Sequence, residues 1–78
     1  MTVKMAQIIS DLHDSEINGE IGWFCGGAWT ARLGDPEHGY DAGATVESVD
    51  AAVEWLKAQA IMLYPDSKFA KRWGRGFA

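Results

Sequence analysis

This 78-residue chain has one cysteine, two prolines and only seven basic residues. A lone cysteine cannot close an intramolecular disulfide, which excludes the stapled frameworks of small secreted domains. No apolar run approaches the about 18 residues of a membrane span. The longest, residues 58–64, is interrupted by Gln59. No charged-then-apolar segment of the signal-peptide kind opens the chain, so a soluble, cytoplasmic protein is expected. With two histidines set apart from one another, the paired spacing of a helical metal site is missing as well.

What is present fits one small domain, residues 1–78, near the lower limit for a chain that folds on a single core. Hydrophobic residues make up 47% and charged ones 23%, the balance of an ordinary globular protein. Charge is split along the chain. Residues 1–64 hold ten acids against Lys4, Arg32 and Lys57, a net of −7, whereas residues 65–78 set Asp66 against Lys68, Lys71, Arg72 and Arg75, a net of +3. An acidic body repels phosphate backbones, so nucleic-acid binding would fall to the tail alone.

Local patterning predicts an α+β fold: an N-terminal helix, a three-stranded antiparallel sheet, a long helix packed on the sheet and a short basic C-terminal tail. Met5, Ile8, Ile9 and Leu12 recur at the spacing of one helical face. Thr2 is the candidate cap, and the helix is expected to stop before the turn-forming pair Asn18-Gly19. A competing reading makes residues 14–17 a strand that returns through that turn. Residues 20–25 and 28–33 read as a hairpin around a two-residue Gly26-Gly27 loop. That register sets Cys25 opposite Ala28, Trp23 opposite Thr30 and Ile21 opposite Arg32, with Phe24, Trp29, Ala31 and Leu33 facing the core. Trp23 is then left on a half-polar outer face beside Thr30 and Arg32. After a turn at residues 35–39 built on Pro36 and Gly39, residues 40–46 return as the third strand, in which Gly43 marks a weak point or a bulge.

Ser48 caps the strongest element, a helix from about residue 49 to residue 64 that Pro65 stops. Val49, Ala52, Val53, Leu56, Ala60 and Leu63 form the stripe that covers the sheet. A second stripe, Ala51, Trp55, Ala58 and Met62, exceeds what one sheet needs, so the first helix, the tail or a second molecule must cover it. In the basic aromatic tail, residues 67–78, Phe69 and Trp73 stand at i, i+4. The tail either docks on the acidic body or, with its cations interleaved among aromatics, stacks bases and holds phosphates; docking is the favoured expectation.

Catalytic chemistry has little to build on. His13 lies among Asp11, Asp14 and Glu16, and His38 between Asp35 and Glu37, but acid-rich turns of this kind are ordinarily just solvated. Cys25 has no neighbouring base in sequence to activate it. Neither an enzyme nor a cofactor or metal is therefore expected, and no small-molecule substrate.

Gly43-Ala44-Thr45-Val46-Glu47-Ser48 and the residues that follow resemble the strand-to-helix junction of HicB-type antitoxin domains, which would imply a small regulatory domain that uses its basic tail on nucleic acid. The double-stranded-RNA-binding fold shares such a sheet and helix, but here the helix opens with Ser48, Asp50 and Glu54 in place of phosphate-gripping bases. In size, charge and element order the whole chain is similar to the small acidic inhibitors of phages and mobile elements, including anti-CRISPR proteins. This last resemblance implies a non-enzymatic, frequently homodimeric protein that covers or mimics nucleic acid on a host complex such as a CRISPR effector and does not bind nucleic acid directly. Asp11, Asp14, Glu16, Glu20, Asp35, Glu37 and Asp41 are the expected mimicking carboxylates. Trp23, Arg32, Asp35, Glu37 and Asp41 are the expected partner contacts, and Trp55, Met62 and Cys25 the expected self-association residues.

Overall fold

The computed structural model describes residues 2–23 and 25–74. Its elements run α1 (Thr2–Asp14), β1 (Gly19–Trp23), β2 (Trp29–Leu33), a 3₁₀ turn (Pro36–His38), β3 (Ala42–Val46), α2 (Val49–Leu63) and α3 (Lys68–Trp73). The strands form one antiparallel sheet in the order β1-β2-β3. This is the α+β architecture that the patterning predicts, with the basic tail forming α3. Ser48 accepts a hydrogen bond from the Ala51 N–H and starts α2, and Pro65 follows one residue after the end cap Tyr64.

One face of the sheet is apolar because the register collects small and aliphatic residues there. Gly19 pairs with Leu33, Ile21 with Ala31 and Trp23 with Trp29, and across β2 the partners of Leu33, Ala31 and Trp29 are Ala42, Ala44 and Val46. The other face holds Glu20, Arg32, Gly43, Gly22, Thr30 and Thr45. On the apolar face α2 supplies Ala52, Val53, Leu56 and Ala60, α1 supplies Ile8 and Leu12, and α3 supplies Phe69, all of them buried with Ala31 and Leu33 in one cluster.

This register differs by one residue from the expected one. The last pair of the hairpin is Trp23–Trp29, so the loop takes in residues 25–28, where Gly26-Gly27 alone were expected. Apolar pairing decides it: a two-residue loop sets Ile21 against Arg32, whereas the observed pairing sets Ile21 against Ala31 and brings the Trp23 and Trp29 rings to 5.3 Å. A slip of one residue turns every side chain of a strand over. Trp23 is therefore on the helix-bearing face, not beside Thr30 and Arg32. Phe24, assigned inward from sequence, lies outside the described residues.

Three smaller differences also have local causes. Thr2 is the first residue of α1 rather than the residue before it. The turn after α1 takes its positive φ at Glu16 (φ 60) rather than at Asn18-Gly19, because the helix closes with paired bonds from the Ile17 N–H to Leu12 O and from the Glu16 N–H to His13 O. β3 begins at Ala42, since Tyr40 has a left-handed backbone (φ 60), and its pairing passes through Gly43 without a bulge.

The tail docks on the body. Ser67 caps α3, Phe69 and Ala70 are buried, and the Phe69 and Trp73 rings stack at 6.0 Å. The Trp73 indole N–H donates to Asp11 Oδ2 over 2.8 Å, Arg72 lies 3.4 Å from the same oxygen, and Gln7 donates to Asp11 Oδ1. Lys57 Nζ sits 5.5 Å over the Trp73 ring, and the backbone at Gly74 abuts Ile61. The tail thus covers the Lys57–Ile61 side of α2 rather than the Trp55–Met62 stripe.

Candidate acidic interaction surface

Three turns meet at the end of the sheet where β1 begins and β2 ends. They are the exit of α1 at residues 15–18, the β2–β3 connection at residues 34–41 and the α2–α3 turn at residues 64–67. Together they line a depression of about 480 Å³ whose walls include Glu16, Asn18, Asp35, His38, Asp41 and Tyr64. Neither lysine nor arginine lines it. Asp14 on one side and Glu37 and Asp66 on the other are exposed in the adjoining turns. α1 and α2 both point their C-termini at this end, so the negative ends of two helix dipoles add to the potential of the carboxylates.

The connection is held by its own polar groups. Asp35 Oδ1 accepts from the Glu37 N–H over 2.8 Å, and Asp35 Oδ2 lies 3.2 Å from His38 Nδ1. Gly34, at φ 106, turns the chain so sharply that a Cβ there would stand 2.5 Å from the Asp41 nitrogen. Only glycine fits. The Asp41 N–H donates back to Leu33 O over 2.7 Å, and its carboxylate accepts from the Tyr64 hydroxyl over 2.5 Å. Burial raises the Tyr64 hydroxyl to about 12, helped by its bond to Asp41 and by that carboxylate's charge.

The residues singled out from sequence divide among four places. Asp35, Glu37 and Asp41 stand together at the acidic end. Arg32 lies on the open face of the sheet, 3.1 Å from Glu20 and 5.4 Å over the Tyr40 ring, and Tyr40 in turn donates to Glu20 over 2.8 Å. That bond to Glu20 is the first cause of the raised pKa of the Tyr40 hydroxyl. Trp23, 63% exposed, lies at the opposite end of the sheet, as does Cys25 in the hairpin loop, an exposed free thiol. Trp55 is half-buried against the core, and Met62 is 64% exposed near the end of α2.

Asp11 does not belong with the surface carboxylates. It is buried and accepts from Gln7 and Trp73 beside Arg72. Its place on the apolar side of α1, three residues after Ile8, was the signal that it meets a polar partner inside. The Tyr64–Asp41 bond was not legible, because it joins residues 23 apart through a turn whose direction patterning does not specify. Among the described residues, no group of three or more His, Cys, Asp or Glu converges in a way that could hold a metal ion. No protein-family model, curated protein or solved structure matches the chain.

Proposed function

We propose that this protein is a non-enzymatic inhibitor of the anti-CRISPR type, which binds a nucleic-acid-binding protein complex and denies nucleic acid access by occupying its basic surface with the acidic end. The observation that carries the reading is the convergence of three turns and two helix C-termini on a depression whose walls carry Glu16, Asp35 and Asp41 and no lysine or arginine. Such a surface offers a cationic channel what a phosphate backbone offers it, and attraction of this kind acts mainly on encounter and orientation. Asp35 and Asp41 fix the shape of the surface, while Glu16, Glu37 and Asp66 carry charge that faces a partner and Asp14 lies 3.4 Å from His13. Arg32, already paired with Glu20, contributes little to this contact.

Docking of the tail supports the same choice against a HicB-like or other nucleic-acid-binding domain. The aromatic rings that would stack bases, Phe69 and Trp73, are packed on the body, and Arg72 is engaged by Asp11.

The test is a gel shift of target DNA by purified CRISPR effector complexes, titrated with the protein at low and at physiological salt. Inhibition is expected, strongest at low salt, and the combined Glu16→Lys, Glu37→Lys and Asp66→Lys variant should lose it. A wild-type protein that itself shifts free DNA or RNA at physiological salt refutes the proposal, as does a charge-reversed variant that inhibits equally well.

A further inference from the structure

The open edge of β1 carries a second surface, which runs from the exposed Trp23 at the aromatic end to a groove over Gly19 that borders the acidic depression at Ile17 and Asn18. β1 is an edge strand, and its hydrogen-bonding phase follows from the bond that the Gly34 N–H makes to Asn18 O over 2.9 Å. Antiparallel pairs alternate between bonded and non-bonded, so Glu20 and Gly22 turn their backbone groups toward β2. Gly19, Ile21 and Trp23 present theirs to the open edge. Beside that edge, between α1 and β1, runs an apolar groove of about 390 Å³ lined by Ile9, Leu12, Ile17, Gly19, Ile21 and Leu56. A Cβ at Gly19 would stand only 3.2 Å from Leu33 and 4.0 Å from Leu56, so glycine lets those two side chains pack against bare backbone, which forms the groove floor on the helix-bearing face. Trp23 belongs to that same face, four residues along, and is 63% exposed.

We propose that β1 pairs with β1 of a second copy, antiparallel about a two-fold axis at Ile21, so that Trp23 of each copy fills the groove over Gly19 of the other. The register is the one that overlaps the strands completely: Ile21 meets Ile21, and Trp23 meets Gly19. Each of these pairs joins residues whose backbone groups already face the edge, so both can form bonded pairs. An aromatic ring laid over a glycine in the neighbouring strand is a stabilising cross-strand pair in itself.

Charge selects this edge over the other. On the open face the register sets Glu20 opposite Gly22, and the Glu20 carboxylate is balanced within its own copy by Arg32 at 3.1 Å. The equivalent two-fold on β3, about Ala44, sets Asp41 opposite Glu47, an acid against an acid. The area is adequate too. The exposed part of each Trp23 is roughly 150 Å² for a side chain of this size. Two tryptophans and the groove walls they cover then remove roughly 600 Å². With two five-residue strands and Ile9, which is 44% exposed, the total reaches about the 1,000 Å² that a specific interface needs. The result is a continuous six-stranded sheet with the helices of both copies on one side.

Light scattering and sedimentation of the full chain across a dilution series, in reductant, test this. The wild type is expected at twice the chain mass, dissociating on dilution. Trp23→Ser is expected at the single-chain mass, still folded by its far-ultraviolet spectrum, with a lower melt because it loses both the Trp29 ring pair and the second copy. Met62→Glu, on the exposed α2 stripe, should keep the wild-type mass. Wild type that stays a monomer at all concentrations, Trp23→Ser that remains dimeric, Met62→Glu that dissociates, or a dimer that vanishes on adding reductant and so depends on Cys25 would each overturn the proposal. Inhibition of an effector complex is not among the readouts, so failure here leaves the reading of the acidic end standing, and the converse holds.

Discussion

At the end of the sheet where β2 runs into Gly34, nearly every conspicuous side chain is tied to its own molecule; at the end where Trp23 faces Trp29, the largest apolar side chain is left open to solvent. Asp35 caps a turn, Asp41 holds Tyr64, and Gly34 and Glu16 take left-handed backbones to bring the three turns together. At the aromatic end the hairpin closes on a tilted tryptophan pair at the tip of an edge strand, whose groove lies toward its other end over Gly19. The contrast teaches that charge and apolar surplus are segregated. An acidic surface depends on fixed loops whose carboxylates still reach water, whereas an apolar surface depends on an element whose hydrogen-bonding edge is unused. The two surfaces need different partners, although the groove and the acidic depression share Ile17 and Asn18.

The largest change acts on both ends at once. Leu56 is 3% exposed, sits in the core cluster and forms part of the groove floor. Leu56→Ala should cost roughly 2 to 5 kcal/mol, a large share of the stability available to a small domain. A urea midpoint unchanged by this substitution would falsify the packing of α2 on the sheet.

Leu56 was readable from the chain alone because helix α2 has every local signal in agreement: a serine cap, a stripe at helical spacing and a proline just past the end. The sheet was readable as a meander but not in its register. Gly26-Gly27 is a strong turn signal, and only the demand that Ile21 and Trp23 share a face with Ala31 and Trp29 outweighs it. That demand comes from the helices above the sheet, so it is tertiary. The acidic end was legible as composition, since Asp35, Glu37 and Asp41 lie close together in sequence. The contributions of Glu16 and Asp66 needed the directions in which α1 and α2 leave the sheet. Asp11 looked like one more surface acid, and its burial depends on a tryptophan 62 residues away.

Breaking the acidic end alone calls for Gly34→Ala. At φ 106 the new Cβ would collide with the Asp41 nitrogen, so the β2–β3 connection must shift. Left-handed strain of this kind costs about 1 to 3 kcal/mol. The expected readout is a lower melting temperature together with faster hydrogen exchange at the Asp41 amide, while exchange at Trp23 and Trp29 is unaffected. Equal acceleration at both ends would mean that they are not separate.

A milder change sharpens the same end by relieving strain. Glu16 occupies the left-handed position that closes α1, where glycine is the usual residue. Glu16→Gly should raise stability by about 0.5 to 1 kcal/mol, since the relief of a Cβ clash exceeds the extra freedom that glycine has in the unfolded chain. It also removes a surface carboxylate. A variant that melts higher yet inhibits less would therefore separate the structural role of the turn from the role of its charge. A lower melting temperature would show that the Glu16 side chain supports the fold.

The smallest effect is invisible at neutral pH. Folding raises the Tyr64 hydroxyl from its ordinary value of 10.0 to about 12, because the ring is partly buried and its proton is held by Asp41. The folded protein thus binds this proton more tightly than the unfolded chain does. The resulting stabilisation is fully present below pH 10.0 and is lost as pH rises through about 12. Tyr64→Phe should melt a little lower than wild type at pH 7, having lost one hydrogen bond. Its melting temperature should then fall less steeply than that of wild type above pH 10.0, where Tyr64 titrates in the unfolded chain. Since Asp41 belongs to the acidic end, Trp23→Ser should leave this alkaline slope as it is in wild type. Parallel pH–melting curves for wild type and Tyr64→Phe would show that the Tyr64–Asp41 bond does not hold the β2–β3 connection to α2, and the link between the acidic loop and the helix would then rest on backbone contacts alone.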